Sequence, residues 1–202
     1  MIAIINSGIG NIRSAANAFE HIGADVKITT DPQDLIDADK IVFPGVGAFC
    51  DGMTAIANTG LIQTLKMQIV EKKKPYLGIC LGMQLLASKG HEDGTYDGLG
   101  IIEGEVSLLP SKDVKLPHIG WNNVIAEKEA ILFKELEDDP TFYFVHSYGL
   151  TPKDPSIIAA QCDYGSLFCA SIQKDNIFGV QFHPEKSQKN GLQLLKNFVN
   201  IA

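Results

Sequence analysis

The sequence predicts an α/β protein: a mostly parallel central sheet flanked by helices, with antiparallel strands added in the second half. Three observations predict it. Short apolar runs alternate with stretches of helical spacing through the first half. Strand-like runs then follow one another closely, separated by turn signals such as Asp163-Tyr164-Gly165 and Lys174-Asp175-Asn176. The length of 202 residues suits one domain, 1–202, large enough to bury a core without staples.

The elements follow in order. Ile2–Ile5 is an unbroken apolar run, as expected of a strand covered on both faces. Gly8 and Gly10 break it. Ile12, Ala15, Ala16, Phe19 and Ile22 recur at helical spacing, and Gly23 supplies the stop. Val26 and Ile28 alternate as a second strand. Ile41-Val42-Phe43 makes a third, ended by Pro44-Gly45. Residues 53–71 read as helix broken near Gly60, and Lys72-Lys73-Lys74 as a solvated helix end, where cations suit the dipole. Residues 76–79 form a fourth strand, followed at once by a helix over 81–87. Strands alternating with helices imply parallel pairing. Residues 101–109, 142–145, 157–161, 168–172 and 177–182 read as strands, and Leu192, Leu194, Leu195 and Phe198 as a closing amphipathic helix.

Composition narrows the function. Seventeen basic against 24 acidic residues leave a net charge of −7. A nucleic-acid binder needs cations to displace phosphate counterions, and a polybasic membrane-surface protein needs them too. No apolar run approaches the roughly 20 residues that span a bilayer, and the first residues have no basic segment leading into a long apolar one. Four cysteines without a CxxC pair make neither a disulfide framework nor a zinc site. A reducing cytoplasm is the expected setting, with no metal and no cofactor.

The strongest local signal is Gly78-Ile79-Cys80-Leu81-Gly82, set between a buried strand and a helix. It is the cysteine form of a nucleophile elbow, whose tight turn needs small residues two before and two after the nucleophile. The turn lifts the sulfur out of the sheet and sets it at a helix N-terminus, which favours thiolate. Such a nucleophile needs a base, and the base an orienting group. Of five histidines, His183 stands apart because Pro184-Glu185 follow it. An extended His-Pro-Glu would put Glu185 on the same side as His183, able to fix its tautomer. Read alone, that tripeptide is as readily a surface turn; beside the elbow it reads as a triad. Pro44-Gly45-Val46-Gly47 follows the third strand at the same sheet edge, where glycine lets backbone N–H groups approach a ligand. It could supply one oxyanion donor and the Leu81 N–H the other. Gly8-Ile9-Gly10-Asn11-Ile12-Arg13, with Asp31 further on, resembles a dinucleotide fingerprint, but Arg13 occupies the third glycine position.

Together these blocks resemble the triad (class I) glutamine amidotransferases. The narrower likeness is to the glutaminase subunits of imidazole glycerol phosphate synthases. It is carried by Gly8-Ile9-Gly10-Asn11-Ile12, Pro44-Gly45-Val46-Gly47-Ala48-Phe49, Cys80-Leu81-Gly82-Met83-Gln84-Leu85-Leu86, Pro117-His118-Ile119-Gly120-Trp121-Asn122, Phe144-Val145-His146-Ser147-Tyr148 and His183-Pro184-Glu185-Lys186-Ser187. The resemblance implies that Cys80 attacks L-glutamine, that His183 moves the proton and Glu185 orients it, and that Gly47 and Leu81 hold the oxyanion. It implies that Gln84 and Glu92 hold glutamine, with His146, Ser147 and Tyr148 on the far wall. It implies a heterodimer with a (β/α)8-barrel cyclase, Asn11, Trp121 and Lys186 lying near that interface. A glutaminase of another synthase (anthranilate, pyridoxal phosphate or guanylate) and a non-catalytic partner-binding subunit remain the alternative readings.

Overall fold

The computed structural model describes residues 1–110 and 114–201. In chain order the strands are β1 (Ile2–Ile5), β2 (Val26–Thr29), β3 (Lys40–Gly45), β4 (Tyr76–Cys80), β5 (Lys89–Gly90), β6 (Tyr96–Asp97), β7 (Gly104–Leu108), β8 (His118–Asn123), β9 (Ile125–Ala126), β10 (Thr141–His146), β11 (Tyr148–Pro152), β12 (Ile158–Asp163), β13 (Leu167–Lys174) and β14 (Ile177–Val180). The α-helices are α1 (Ile12–His21), α2 (Pro32–Asp37), α3 (Phe49–Thr59), α4 (Ile62–Lys66), α5 (Leu81–Gln84) and α6 (Gln188–Val199). The main sheet has 8 strands in the order β2-β1-β3-β4-β14-β13-β12-β9. It is parallel from β2 to β14 and antiparallel beyond. The expected α/β architecture is therefore the observed one. The described residues also form a 4-stranded sheet, β11-β7-β5-β6, and the β10-β8 ribbon.

Side-chain alternation divides the core. Ile2 and Ile4 pack on one face of the sheet with Phe19 of α1 and Leu194, Leu195 and Phe198 of α6. Ala3 and Ile5 face the other way, with Leu35 of α2, Ile56 of α3 and Leu65 of α4. Successive strand residues point to opposite faces, so an unbroken apolar run is what a strand covered twice requires.

Several boundaries differ from the sequence reading. Pro44 and Gly45 lie inside β3, pairing with Ile79 and Cys80, instead of ending it. The helix expected from residue 53 begins at Phe49, and Gly60 ends it in the left-handed region at φ 72°. The helix expected over 81–87 stops after one turn. Helix α2 and strands β8 and β11 were not expected. Asp31 caps α2, accepting from the Gln33 N–H at 2.9 Å, with Pro32 in the first turn. That fixes Asp31 as a helix cap and removes it from any dinucleotide fingerprint. Gly10 packs its backbone against Gly45, where an added Cβ would lie 3.2 Å from the Gly45 Cα. The Gly8–Gly10 turn thus braces the loop after β3. Among the described residues no helix is long and apolar enough to cross a membrane.

Candidate active site

The elbow forms because two chain segments touch with no room for a side chain between them. A Cβ on Gly78 would lie 2.5 Å from the Gly82 carbonyl oxygen, and one on Gly82 would lie 1.8 Å from that of Phe43. Tyr76, fully buried below, donates its hydroxyl to the Gly82 carbonyl at 2.9 Å. Cys80 is held at φ 52°, ψ −109°, a sparsely populated conformation that only a surrounding structure of this kind sustains. Strand β4 delivers the sulfur to the carboxyl edge of the parallel strands, where open α/β sheets bind their ligands.

His183 reaches the same edge from β14, the parallel neighbour of β4. Its N–H donates to the Tyr143 carbonyl at 2.9 Å. The Ser187 hydroxyl donates to the His183 carbonyl at 2.6 Å and accepts from the Tyr143 N–H at 3.0 Å. Its Nδ1 lies 2.8 Å from Glu185 Oε1, and the two side chains are 2% and 4% exposed. The sequence reading expected an extended His-Pro-Glu. Instead Pro184–Lys186 is a short 3₁₀ turn, and the turn carries the carboxylate back to the ring. With Nδ1–H donated to Glu185, Nε2 is left for Cys80. Nε2 is buried and makes no hydrogen bond of full geometry, as is common before a substrate tightens such a site. Burial alone lowers the His183 pKa; the neighbouring Cys80 sulfur and Glu185 carboxylate more than reverse this and raise it to about 10. These surroundings therefore favour the protonated ring beside Cys80.

A cavity of about 270 Å³ opens over Cys80. It lies just below the roughly 300–1,000 Å³ usual for ligand pockets. Its walls include Gly47, Gln84, Glu92, His146, Ser147 and Tyr148. Gly47, at φ 106°, takes a conformation that favours glycine. Leu81 lies outside the cavity wall but is the first residue of α5, where the N–H has no intrahelical acceptor. Gln84 Nε2 donates to the Tyr148 carbonyl at 2.9 Å and to Gln181 Oε1 at 3.0 Å. Both N–H groups are then used, so only its carbonyl oxygen is left to meet a ligand. Glu92 Oε2 accepts from the Phe49 N–H at 2.8 Å, which ties the irregular loop to the start of α3 and brings a carboxylate to the wall.

His146 belongs to a chain of defined tautomers. Its Nδ1 donates to the Tyr148 carbonyl at 2.9 Å, so its Nε2 accepts from His118 Nδ1 at 3.2 Å. Burial pushes both imidazoles down to about 4. Between pH about 6.5 and about 4, the unfolded chain binds protons that the folded one does not, so stability is lost as pH falls through that window. Denaturant unfolding should show that decline, and His118→Phe should flatten it.

Trp121 is 48% exposed and packs edge-on to Tyr143, with ring centres 6.1 Å apart; Lys186 Nζ stands 5.7 Å from the same ring. The structure thus brings Trp121 and Lys186 to one aromatic cluster. Asn11 caps α1, accepting from the Ser14 N–H at 3.2 Å, and α1 packs against the Pro184–Lys186 turn. The sequence assigned no role to Ser187, Tyr143 or Gln181, whose Nε2 lies 3.6 Å from Cys80 Sγ. Only one signal marked Gln181: an amide inside an otherwise apolar strand run.

A thiol on an elbow, backed by an imidazole and then a carboxylate, is the arrangement of cysteine-triad acyl-transfer enzymes. The chain belongs to the glutamine amidotransferase class-I family, whose model matches residues 3–202. It is 48% identical over 200 residues to the imidazole glycerol phosphate synthase subunit HisH of Acinetobacter baylyi, covering 98% of this chain and 97% of that protein. It is 47% identical to the subunit of that name from Aquifex aeolicus, covering 98% and 96%. Its fold is also that of PurLQS from Thermotoga maritima, with a TM-score of 0.77 at 19% identity over 98% of this chain and 97% of that chain. The chain is an enzyme of this family.

Proposed function

We propose that this chain is the glutaminase subunit of imidazole glycerol phosphate synthase, hydrolysing L-glutamine at Cys80 and passing the ammonia to a cyclase subunit in histidine biosynthesis. The observation that carries it is the Cys80, His183 and Glu185 series beneath a cavity of about 270 Å³ walled by Gln84 and Glu92. Glu92 faces the α-ammonium of glutamine, and Gln84 offers its carbonyl oxygen. His146, Ser147 and Tyr148 close the far wall. The Cys80 thiolate attacks the side-chain amide carbon, and the developing oxyanion takes hydrogen bonds from the backbone N–H groups of Gly47 and Leu81. The His183 imidazolium gives its Nε2 proton to the nitrogen as the C–N bond breaks, releasing ammonia and leaving a glutamyl thioester. Neutral His183 then takes a proton from water as it attacks the thioester. Glutamate leaves, and the sulfur is regenerated.

The raised pKa of His183 supports the first half-reaction, because the proton is already on the ring when the leaving nitrogen needs it. Glu185 orients the ring and transfers no proton. His183→Ala should lower turnover by about 10⁴-fold, and Glu185→Gln by less. Steady-state glutamine hydrolysis ranks the two, and the reverse order would sink this division of roles.

Free ammonia in neutral water is mostly ammonium, which has no lone pair to attack with. The product therefore has to pass to its user through a path closed to bulk water. A (β/α)8-barrel cyclase docked in a cytoplasmic heterodimer over Asn11, Trp121 and Lys186 would provide that path. Glutamine hydrolysis measured with and without the cyclase and its nucleotide tests this reading. Weak activity alone and stimulation of about tenfold or more are expected; equal rates would overturn the coupling.

A further inference from the structure

We propose that Gln181 is a positioning residue for the nucleophile: its side-chain amide donates an N–H to the Cys80 sulfur, and Gln84 fixes the direction of that amide. The proposal rests on Cys80 being the nucleophile. Gln181 is fully buried, and its Nε2 lies 3.6 Å from Cys80 Sγ, within the reach of an N–H···S bond. Its Oε1 accepts from Gln84 Nε2 at 3.0 Å, and Gln84 Nε2 is itself pinned by the Tyr148 carbonyl at 2.9 Å. The alternative orientation of Gln181 would set two NH₂ groups against each other and aim a carbonyl oxygen at the sulfur. The observed one is therefore the only one that satisfies the amides. The Gln181 backbone N–H is bonded to the Ala170 carbonyl at 2.9 Å, which holds the residue in place just beyond β14.

The chemistry gives this contact a direction. A buried amide without partners is costly, and a neutral thiol is a weak acceptor. A thiolate is a charged acceptor, and hydrogen bonds to charged groups are about twice as strong as neutral ones. The Gln181 N–H therefore favours the sulfur anion over the thiol. The segment after β14 then serves the reaction twice, with Gln181 on the sulfur and His183 on the proton. Gln84, which meets the substrate through its oxygen, is bonded through its nitrogen to the group that holds the nucleophile.

The test compares the unaltered chain with Gln181→Met, which keeps the bulk and removes the donor, and with Gln181→Glu, which puts an acceptor there. Alkylation of Cys80 by iodoacetamide is followed against pH by peptide mass spectrometry, beside kcat and KM for glutamine in the complex. Both variants should move the midpoint of the alkylation profile upward by about one pH unit or more, Gln181→Glu the further. Both should lower kcat about tenfold or more with KM little changed. A merely structural role would lower the melting temperature and leave the midpoint in place, and that result overturns the proposal. Should neither variant fold, the unaltered chain still decides. The Gln181 side-chain amide resonances should titrate with the Cys80 alkylation midpoint, and amide resonances indifferent to it refute the contact. If Cys80 fails to alkylate in the unaltered chain, the glutaminase reading itself falls, an outcome distinct from an unmoved midpoint.

Discussion

Cys80→Ala is expected to abolish glutamine-dependent synthesis by the complex and to leave ammonia-dependent synthesis by the partner intact. The sulfur is the atom that must form the thioester, and among the described residues Cys80 is the one thiol lining the cavity. Cys50, Cys162 and Cys169 lie outside that wall; burial pushes Cys162 and Cys169 up to about 12, which keeps both as inert thiols. Loss of a nucleophile on which the other triad members depend costs about 10⁴-fold or more. Alanine keeps the Cβ, and the surrounding backbone holds the unusual conformation of this residue, so the fold should survive. Residual glutamine-driven turnover within tenfold of the unaltered complex would show that the nucleophile lies elsewhere.

Gly82→Ala should give the largest loss of stability of any single methyl added near the site. Its Cβ would lie 1.8 Å from the Phe43 carbonyl oxygen and 2.8 Å from the carbonyl carbon. Both atoms belong to the backbone of β3, which pairs with β4 through Phe43↔Gly78 and Gly45↔Cys80. A side-chain tip could swing away, but strand backbone moves only by breaking that pairing. About 3 kcal/mol or more of destabilisation follows, and glutaminase activity should fall with it. Gly60→Ala is the contrast: its added methyl meets nothing within 4 Å, and only the φ of 72° opposes it, at about 1 kcal/mol. Paired denaturant unfolding curves measure the difference. Equal stabilities would mean that the close approach of the elbow to β3 is not what holds it.

The parts of this fold that local chemistry dictates were legible in the sequence. Ile2–Ile5 is covered on both faces, so it had to read as an unbroken apolar run, and its expected and observed bounds coincide. The elbow could be read because its two glycines answer a clash between neighbours in the chain. Strand β8 was not legible because it exists only by pairing with β10, and its own residues, His118-Ile119-Gly120-Trp121-Asn122-Asn123, include Gly120 and two asparagines that favour turns. Strand β11 carries Gly149 and Pro152 and is held by β7, from Tyr148↔Leu108 onward. Helix α2 is six residues long, too short to show a period, and its Asp-Pro start was the one available sign. Gln181 could not have been placed on the sulfur, since the contact spans 101 residues of chain. The residues around His183 show the same limit in reverse: the pairing with Glu185 was readable, and the turn that makes it was not.

The most direct measurement is covalent labelling of the complex with diazo-oxo-norleucine, a glutamine-shaped electrophile, followed by peptide mass spectrometry. One adduct, on Cys80, is expected, with glutamine-driven synthesis lost and ammonia-driven synthesis kept. An unlabelled Cys80 in the assembled complex, or an adduct only on Cys50, would contradict glutamine chemistry at this site.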